Sequence, residues 1–167
     1  PMNVLGISCF FHDAAAALLR DGDLVAASEE ERFSRRKHDP EFPSRAIQFC
    51  LDQGEIGPKE LDYVVFYEDP YLKFDRILKT SFRTFPRSLR LFQDAMIRWL
   101  GGKLWVSDLI QDHFGIPADR VLFSGHHRSH AASAFFCSPY DKAAVLTVDG
   151  VGEWTTASYG VGDGTHL

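Results

Sequence analysis

Residues 3–29, NVLGISCFFHDAAAALLRDGDLVAASE, decide the fold. Two apolar runs, 14–20 and 23–29, flank Asp21-Gly22, and a D-G pair between apolar runs is a strong short-range hairpin signal. With the β-rich run NVLGISCF ahead of them, the stretch predicts three antiparallel strands over 3–10, 14–20 and 23–29. Downstream, Ser44 stands where a cap belongs, ahead of the helically spaced Ala46, Ile47, Phe49, Cys50 and Leu51, with Gly54 as the stop. LDYVVFY over 61–67 reads as a buried strand. Strands, helix, strand in that order give an α/β sheet with helices packed on it.

Residues 71–114 lack strand alternation and carry apolar residues at helical spacing, broken by Pro86 and Gly101-Gly102 into two or three helices. Lys73, Arg76, Lys79, Arg83, Arg87, Arg90, Arg98 and Lys103 outweigh Asp75, Asp94, Asp108 and Asp112 there, giving either a solvated basic face or a docking surface for an acidic substrate or another domain. Nucleic acid is disfavoured, because no aromatic-and-basic strand platform accompanies the charge. Further strands are expected at 121–124, 143–148 and 155–160, with a turn at 162–164. The stretch from Val145 to Gly164 echoes the opening hairpin in pattern. The expected organisation is therefore one α/β lobe over 1–142, with 71–114 as a helical insertion, and an incomplete hairpin of a second lobe over 143–167.

Composition excludes several classes. With 45% hydrophobic and 25% charged residues the chain is neither disordered nor fibrous, and a net charge of −5 demands neither nucleic acid nor membrane. No apolar run approaches the roughly 18 residues of a spanning helix. The N-terminus lacks the basic region of a signal peptide. Cys9, Cys50 and Cys137 show no paired spacing, which suits reduced thiols in the cytoplasm and disfavours a thiolate metal site.

Three stretches can carry chemistry. In HHRSH, His126 and His130 are four apart, on one face of a helix, close enough for both imidazoles to reach one ion. Asp149, at the end of the strand that follows, can complete a His/His/Asp set suited to Fe(II), Zn(II) or Mn(II). The alternative is a helix start with solvated histidines. His12-Asp13, in the first hairpin loop, offers a general base or hydrogen-bonding histidine, or simply a turn-stabilising Asp beside a surface His. EEERFSRRKHD over 29–39 is a solvated charged face, or a strand-end site where Arg35 or Lys37 neutralises a phosphate or carbamoyl oxygen. Gly6, Ser8 and the Asp149-Gly150-Val151-Gly152 turn are matched elements that could clamp nucleotide phosphates, although tight turns without a ligand are common.

Taken in order, GIS-x3-HD-x2-AALL, ASEEERFSRRKHDPEFP, HHRSHAASAFFCSP and VDGVGEW resemble the N-terminal part of the O-carbamoyltransferases, the nodulation-factor and antibiotic-tailoring enzymes. The match extends from Gly6 to Trp154. The resemblance implies an actin-like fold of the sugar kinase and Hsp70 type, and a C-terminal YrdC-like domain absent from this chain. It implies that carbamoyladenylate, made from carbamoyl phosphate and ATP, donates its carbamoyl group to a hydroxyl of a small-molecule or glycan acceptor. It places an iron ion on His126, His130 and Asp149, His12 beside the carbonyl under attack, and Lys37 on the developing negative charge. Gly6, Ser8, Asp13, Gly150 and Gly152 are the expected nucleotide contacts. The tRNA threonylcarbamoyl-transferase is the nearest alternative within the fold, and a metal- or nucleotide-binding fragment without turnover is another. A homo-oligomer is compatible with all of these.

Overall fold

The computed structural model describes residues 1–150 and 152–167, with the side chains of Leu91, Arg98 and Lys103 left aside. The fold is mixed α/β. Its elements are β1 (Asn3–Ser8), β2 (Ala15–Arg20), β3 (Asp23–Glu29), α1 (Glu31–Ser34), α2 (Ser44–Gly54), β4 (Tyr63–Phe66), α3 (Pro70–Arg83), α4 (Leu89–Leu100), α5 (Val106–Phe114), β5 (Val121–Phe123), α6 (His126–Phe135), β6 (Lys142–Val148) and β7 (Ala157–Asp163). They form two compact units, one of residues 1–67 and 105–123, the other of 68–104 and 124–167.

The first unit is built on a five-stranded sheet of order β3-β2-β1-β4-β5. As the D-G turn predicts, β1, β2 and β3 pair antiparallel, while β4 and β5 run parallel to β1. Period-two alternation turns Leu5 and Ile7, Ala16 and Leu18, and Val64 and Phe66 into the core. Helix α2 adds Ala46, Ile47, Cys50 and Leu51, and α5 adds Val106, Ile110 and Phe114 at four-residue steps. The expected helical insertion is thus divided, its last helix packing with the sheet.

Two local expectations are corrected, and a third, the stop at Gly54, holds for a different reason. Strand β1 ends at Ser8 rather than residue 10, because Phe10 turns to φ 68° and donates its N–H to the Pro40 carbonyl. Ser44 does not cap α2. The buried Glu30 does, its Oε2 accepting the N–H groups of Arg45 (3.0 Å) and Ala46 (2.9 Å), two of the amides a helix start leaves orphaned. Gly54 is the last helical residue, and the left-handed position after it falls to Glu55 (φ 52°). Its lack of a side chain answers a different need: a Cβ there would stand 2.5 Å from Leu18 Cδ2.

In the second unit α3 begins at Asp69-Pro70, where Asp69 Oδ1 accepts the N–H groups of Tyr71 and Leu72. Phe74 meets Trp99 and Phe82 meets Phe92 across α3 and α4. Helix α6 lies against the antiparallel β6–β7 hairpin, whose register runs from Lys142–Asp163 to Val148–Ala157. The second strand therefore starts and ends later than expected, passing through Gly162 before turning at Gly164 (φ 58°). No helix among the described residues is long and apolar enough to cross a membrane.

Candidate functional site

The HHRSH motif opens α6, behind an extended Gly125. With no side chain on the cap residue, the helix start borrows Glu153, whose Oε1 accepts the His126 N–H (3.3 Å) and the Asp69 N–H (2.6 Å). One helical turn then brings His130 beside His126, as the i, i+4 spacing predicts. Asp149 follows β6 directly, and its N–H is fixed on the Thr156 carbonyl (2.8 Å).

The three side chains converge. His126 Nε2 is 3.2 Å from His130 Nε2 and 2.6 Å from Asp149 Oδ2, all within a group that could hold one metal ion. Two nitrogens bound to one ion at about 2.0–2.1 Å stand roughly 2.8–3.4 Å apart for angles between 90° and tetrahedral, so the histidine pair already has ligand spacing. The Asp149 contact is shorter than that and is a hydrogen bond, which an incoming ion must open by a few tenths of an ångström. His126 is buried, Asp149 half-buried and His130 exposed, so the set is closed on the protein side and open on the other. Two imidazoles and a carboxylate with open positions suit a divalent transition metal. These residues fit the implied ion.

His127 does not join them. Its Nδ1 meets Thr147 Oγ1 (2.6 Å) and its Nε2 the Thr155 carbonyl (2.6 Å), so it stitches α6 to the hairpin. Gly152 is fixed by the same packing: a Cβ would lie 2.1 Å from the Thr155 carbonyl oxygen and 2.9 Å from His127 Nε2, and its own carbonyl accepts from Arg76. A Cβ on Gly150 would meet open space. Val151, between these two glycines, lies outside the described residues. Beside the histidines, a cavity of about 280 Å³ is lined by Arg128, Glu153, Trp154 and Thr155 among others.

Several residues of this site are not evident from spacing. Glu68 and Lys73, both buried, pair at 2.5 Å, and Glu68 Oε2 lies 3.5 Å from His126 Nδ1. Lys73 and Arg76 are therefore engaged inside the unit, not on a solvated or docking basic face. Lys79 pairs with Asp75 and stands 5.7 Å from the Trp154 ring. The local signal was present only in part, as the acidic residue before an Asp-Pro helix start.

In the first unit the loops 10–13 and 31–39 are tied together. Ala14 donates to the Asp39 carbonyl, and Glu30 to the Ala14 carbonyl. Asp13 then takes one imidazole on each oxygen: His12 Nδ1 on Oδ2 and His38 Nδ1 on Oδ1, both at 2.7 Å. Hydrogen bonds from His38 first, and His12 second, hold the Asp13 carboxyl below the usual carboxylate range. The His38 N–H is held by Glu31 Oε2 at 2.9 Å. Phe10, Asp13, Arg35 and His38 all have positive φ, a backbone state that costs a non-glycine residue and clusters where loops carry function. Lys37 is exposed next to His38. Charge alone made 29–39 a solvated face or a site, but Glu30 and Asp39 are buried supports, and hydrogen bonds from Ser34 and then Glu41 hold the Asp39 carboxyl low. Gly6 lies not in a turn but in mid-strand, between β2 and β4, and Ser8 Oγ is 3.5 Å from the Asp13 carbonyl.

A family model for the carbamoyltransferase N-terminus matches residues 3–167. The chain belongs to the carbamoyltransferases. Among relatives of this carbamoyltransferase chain, the uncharacterised protein sll1178 of Synechocystis is 49% identical, over 99% of this chain and 28% of its own length. Nodulation protein NolNO of Sinorhizobium fredii is 35% identical, over 95% of this chain and 22% of its own. The carbamoyltransferase chain thus spans about a quarter of the length of these relatives. Among solved structures, YeaZ from Pseudomonas aeruginosa is similar with a TM-score of 0.44 and 13% identity, over 90% of this chain and 56% of that one.

Proposed function

We propose that the full-length protein transfers a carbamoyl group from carbamoyladenylate, formed from carbamoyl phosphate and ATP, to a hydroxyl of a small-molecule or glycan acceptor. The observation that carries this is the convergence of His126, His130 and Asp149 in a carbamoyltransferase chain. We assign the chain to the actin-like fold on its family and sheet order, and to the cytoplasm, a compartment that suits three cysteines with no paired spacing.

His126, His130 and Asp149 would hold a divalent ion, Fe(II) in our reading, with the histidines bound through Nε2. When bound, such an ion supplies a Lewis acid that anchors and polarises a phosphate oxygen. His12 acts at the acceptor. Asp13 takes its Nδ1–H, which fixes the tautomer and leaves Nε2 to accept the hydroxyl proton. The acceptor oxygen bonds to the carbamoyl carbon, the carbon–oxygen bond to the phosphate breaks, and AMP leaves with that bond's electrons. Lys37 offsets the negative charge that develops. Asp13 thereby acts through His12, and Gly6, Ser8, Asp13, Gly150 and Gly152 remain the nucleotide contacts of this reading.

The test is metal content and ATP- plus carbamoyl-phosphate-dependent AMP release in the full-length protein, compared with His126→Ala and His130→Ala. Loss of both iron and turnover is expected. Variants that lose the metal and keep turnover would overturn the metal-anchored reading and leave the chemistry to His12 and Lys37.

A further inference from the structure

We infer that Glu68, held by Lys73, is the positioning residue of the metal centre: it receives the His126 Nδ1–H when Nε2 ligates the ion. The inference rests on the metal reading above, and adds to it a carboxylate and a lysine that neither the spacing of the motif nor the family match assigns.

Four observations converge on it. An imidazole has one proton to place when neutral, and a ligating nitrogen must give its proton up. Without an ion, the 2.6 Å contact between His126 Nε2 and Asp149 Oδ2 is made by a proton on Nε2. Ligation moves that proton to Nδ1, and the carboxylate facing Nδ1 is Glu68, at 3.5 Å, half an ångström from a good hydrogen bond. The same Glu68 oxygen accepts Lys73 Nζ at 2.5 Å, which aims the carboxylate. The spacing is also fixed through the backbone, because Glu153 holds the N–H of Asp69, next to Glu68, and the N–H of His126 on one oxygen.

A buried Lys–Glu pair contributes little to stability compared with apolar residues of similar volume. Its place explains it. A carboxylate behind a ligating histidine fixes ring orientation and raises the basicity of the bound nitrogen, and loss of such a partner typically weakens metal affinity about 10- to 100-fold.

The experiment uses full-length protein, Zn(II) as a diamagnetic probe, and competition against a chromophoric chelator. Glu68→Gln, nearly isosteric, and Lys73→Met are compared with wild type and His126→Ala. The expected result is a 10- to 100-fold weaker Zn(II) affinity for both variants, within the range above, and abolition by His126→Ala. In ¹⁵N-histidine-labelled protein, Zn(II) should move the His126 proton from Nε2 to Nδ1, and that Nδ1 proton should lie further downfield in wild type than in Glu68→Gln, a difference that a purely structural role for Glu68 would not produce. Glu68→Gln binding Zn(II) as tightly as wild type, or a Nδ1 proton unchanged between wild type and this variant, overturns the inference while leaving the metal site standing. Wild-type protein that does not bind, or His126→Ala that binds normally, overturns the metal reading itself and the inference with it.

Discussion

Removing the Glu30 side chain should cost the first unit more than any other change in the charged stretch 29–39. Glu30 Oε2 is the shared acceptor for the second and third amides of α2, at 3.0 and 2.9 Å, and the residue is buried. In Glu30→Ala the Ala46 N–H is orphaned in the core, at about 1–3 kcal/mol, while the Arg45 N–H lies nearer solvent and recovers part of its loss to water. The sum is about 2–4 kcal/mol. Glu30→Gln behaves differently, since both bonds fall on one oxygen and the amide carbonyl can replace it. Only the interaction of charge with the helix N-terminus is lost, about 1 kcal/mol. For a domain of this size 1 kcal/mol moves Tm by roughly 2–4 °C, so the Ala variant should melt about 4–16 °C lower and the Gln variant about 2–4 °C lower. Calorimetry of the transition that unfolds α2, with hydrogen exchange read at Ala46, measures both. An Ala variant within 1 °C of wild type, or a Gln variant as damaged as the Ala variant, would refute the long-range cap.

Further outcomes follow from the same geometry. Asp13 titrates below its unfolded range because of His38 and His12, so its contribution to stability is full above about pH 4 and is lost as pH falls through the lower folded value. Asp13→Asn should flatten that acid limb of the unfolding free energy and release the His12 and His38 rings, visible as faster ring-proton relaxation. His113 is shifted the other way for its type: burial lowers its affinity for a proton, so below about pH 6.5 the unfolded chain binds more protons and stability falls on acidification. His113→Gln should remove that slope in denaturant titrations between pH 5 and 7. Gly54→Ala gains about 1 kcal/mol of helix propensity but drives a Cβ to 2.5 Å from the fully buried Leu18. Overpacking of about 1–3 kcal/mol outweighs the gain, and an unchanged or raised Tm would contradict this.

The parts of the fold that could be read from the sequence are those whose signal is local. The D-G turn at 21–22 fixes a register that alternation alone then propagates, so β2 and β3 are where they were expected. Helix α2 has the expected span because its apolar positions repeat at helical spacing, and the i, i+4 step of His126 and His130 survives because helix geometry alone brings them together once α6 forms. What escaped is long-range. Ser44 is a good cap by type, yet a carboxylate fourteen residues earlier takes the amides it would have served. His38 is indistinguishable from its charged neighbours until the chain reversal at 39–40 lays it on Asp13. Lys73 counts as one basic residue among several along α3, and only burial against Glu68 removes it from the surface set.

The charged stretch 29–39 shows why composition misjudges such segments. A run of this kind is ordinarily solvated, and by type its residues are equivalent. Folding divides them. Glu30 turns inward to start α2, and Asp39 turns inward to close the loop on Ser34 and Glu41, so two acids supply the support that a buried core gives elsewhere. Each sits beside residues left outside: Glu30 beside Glu31, whose carboxylate holds the His38 amide, and Asp39 beside His38 and Lys37. The buried acids anchor the backbone, and Arg35 and His38 are held out from it at positive φ, where Asp13 reaches His38. A solvated face would have no reason to meet those backbone costs at Arg35 and His38, matched by Phe10 and Asp13 in the loop it is tied to. Presenting His12, on Asp13, beside the loop that carries Lys37 is such a reason under the proposed reaction, in which the stretch would be a scaffold built from the same residue types as the chemistry.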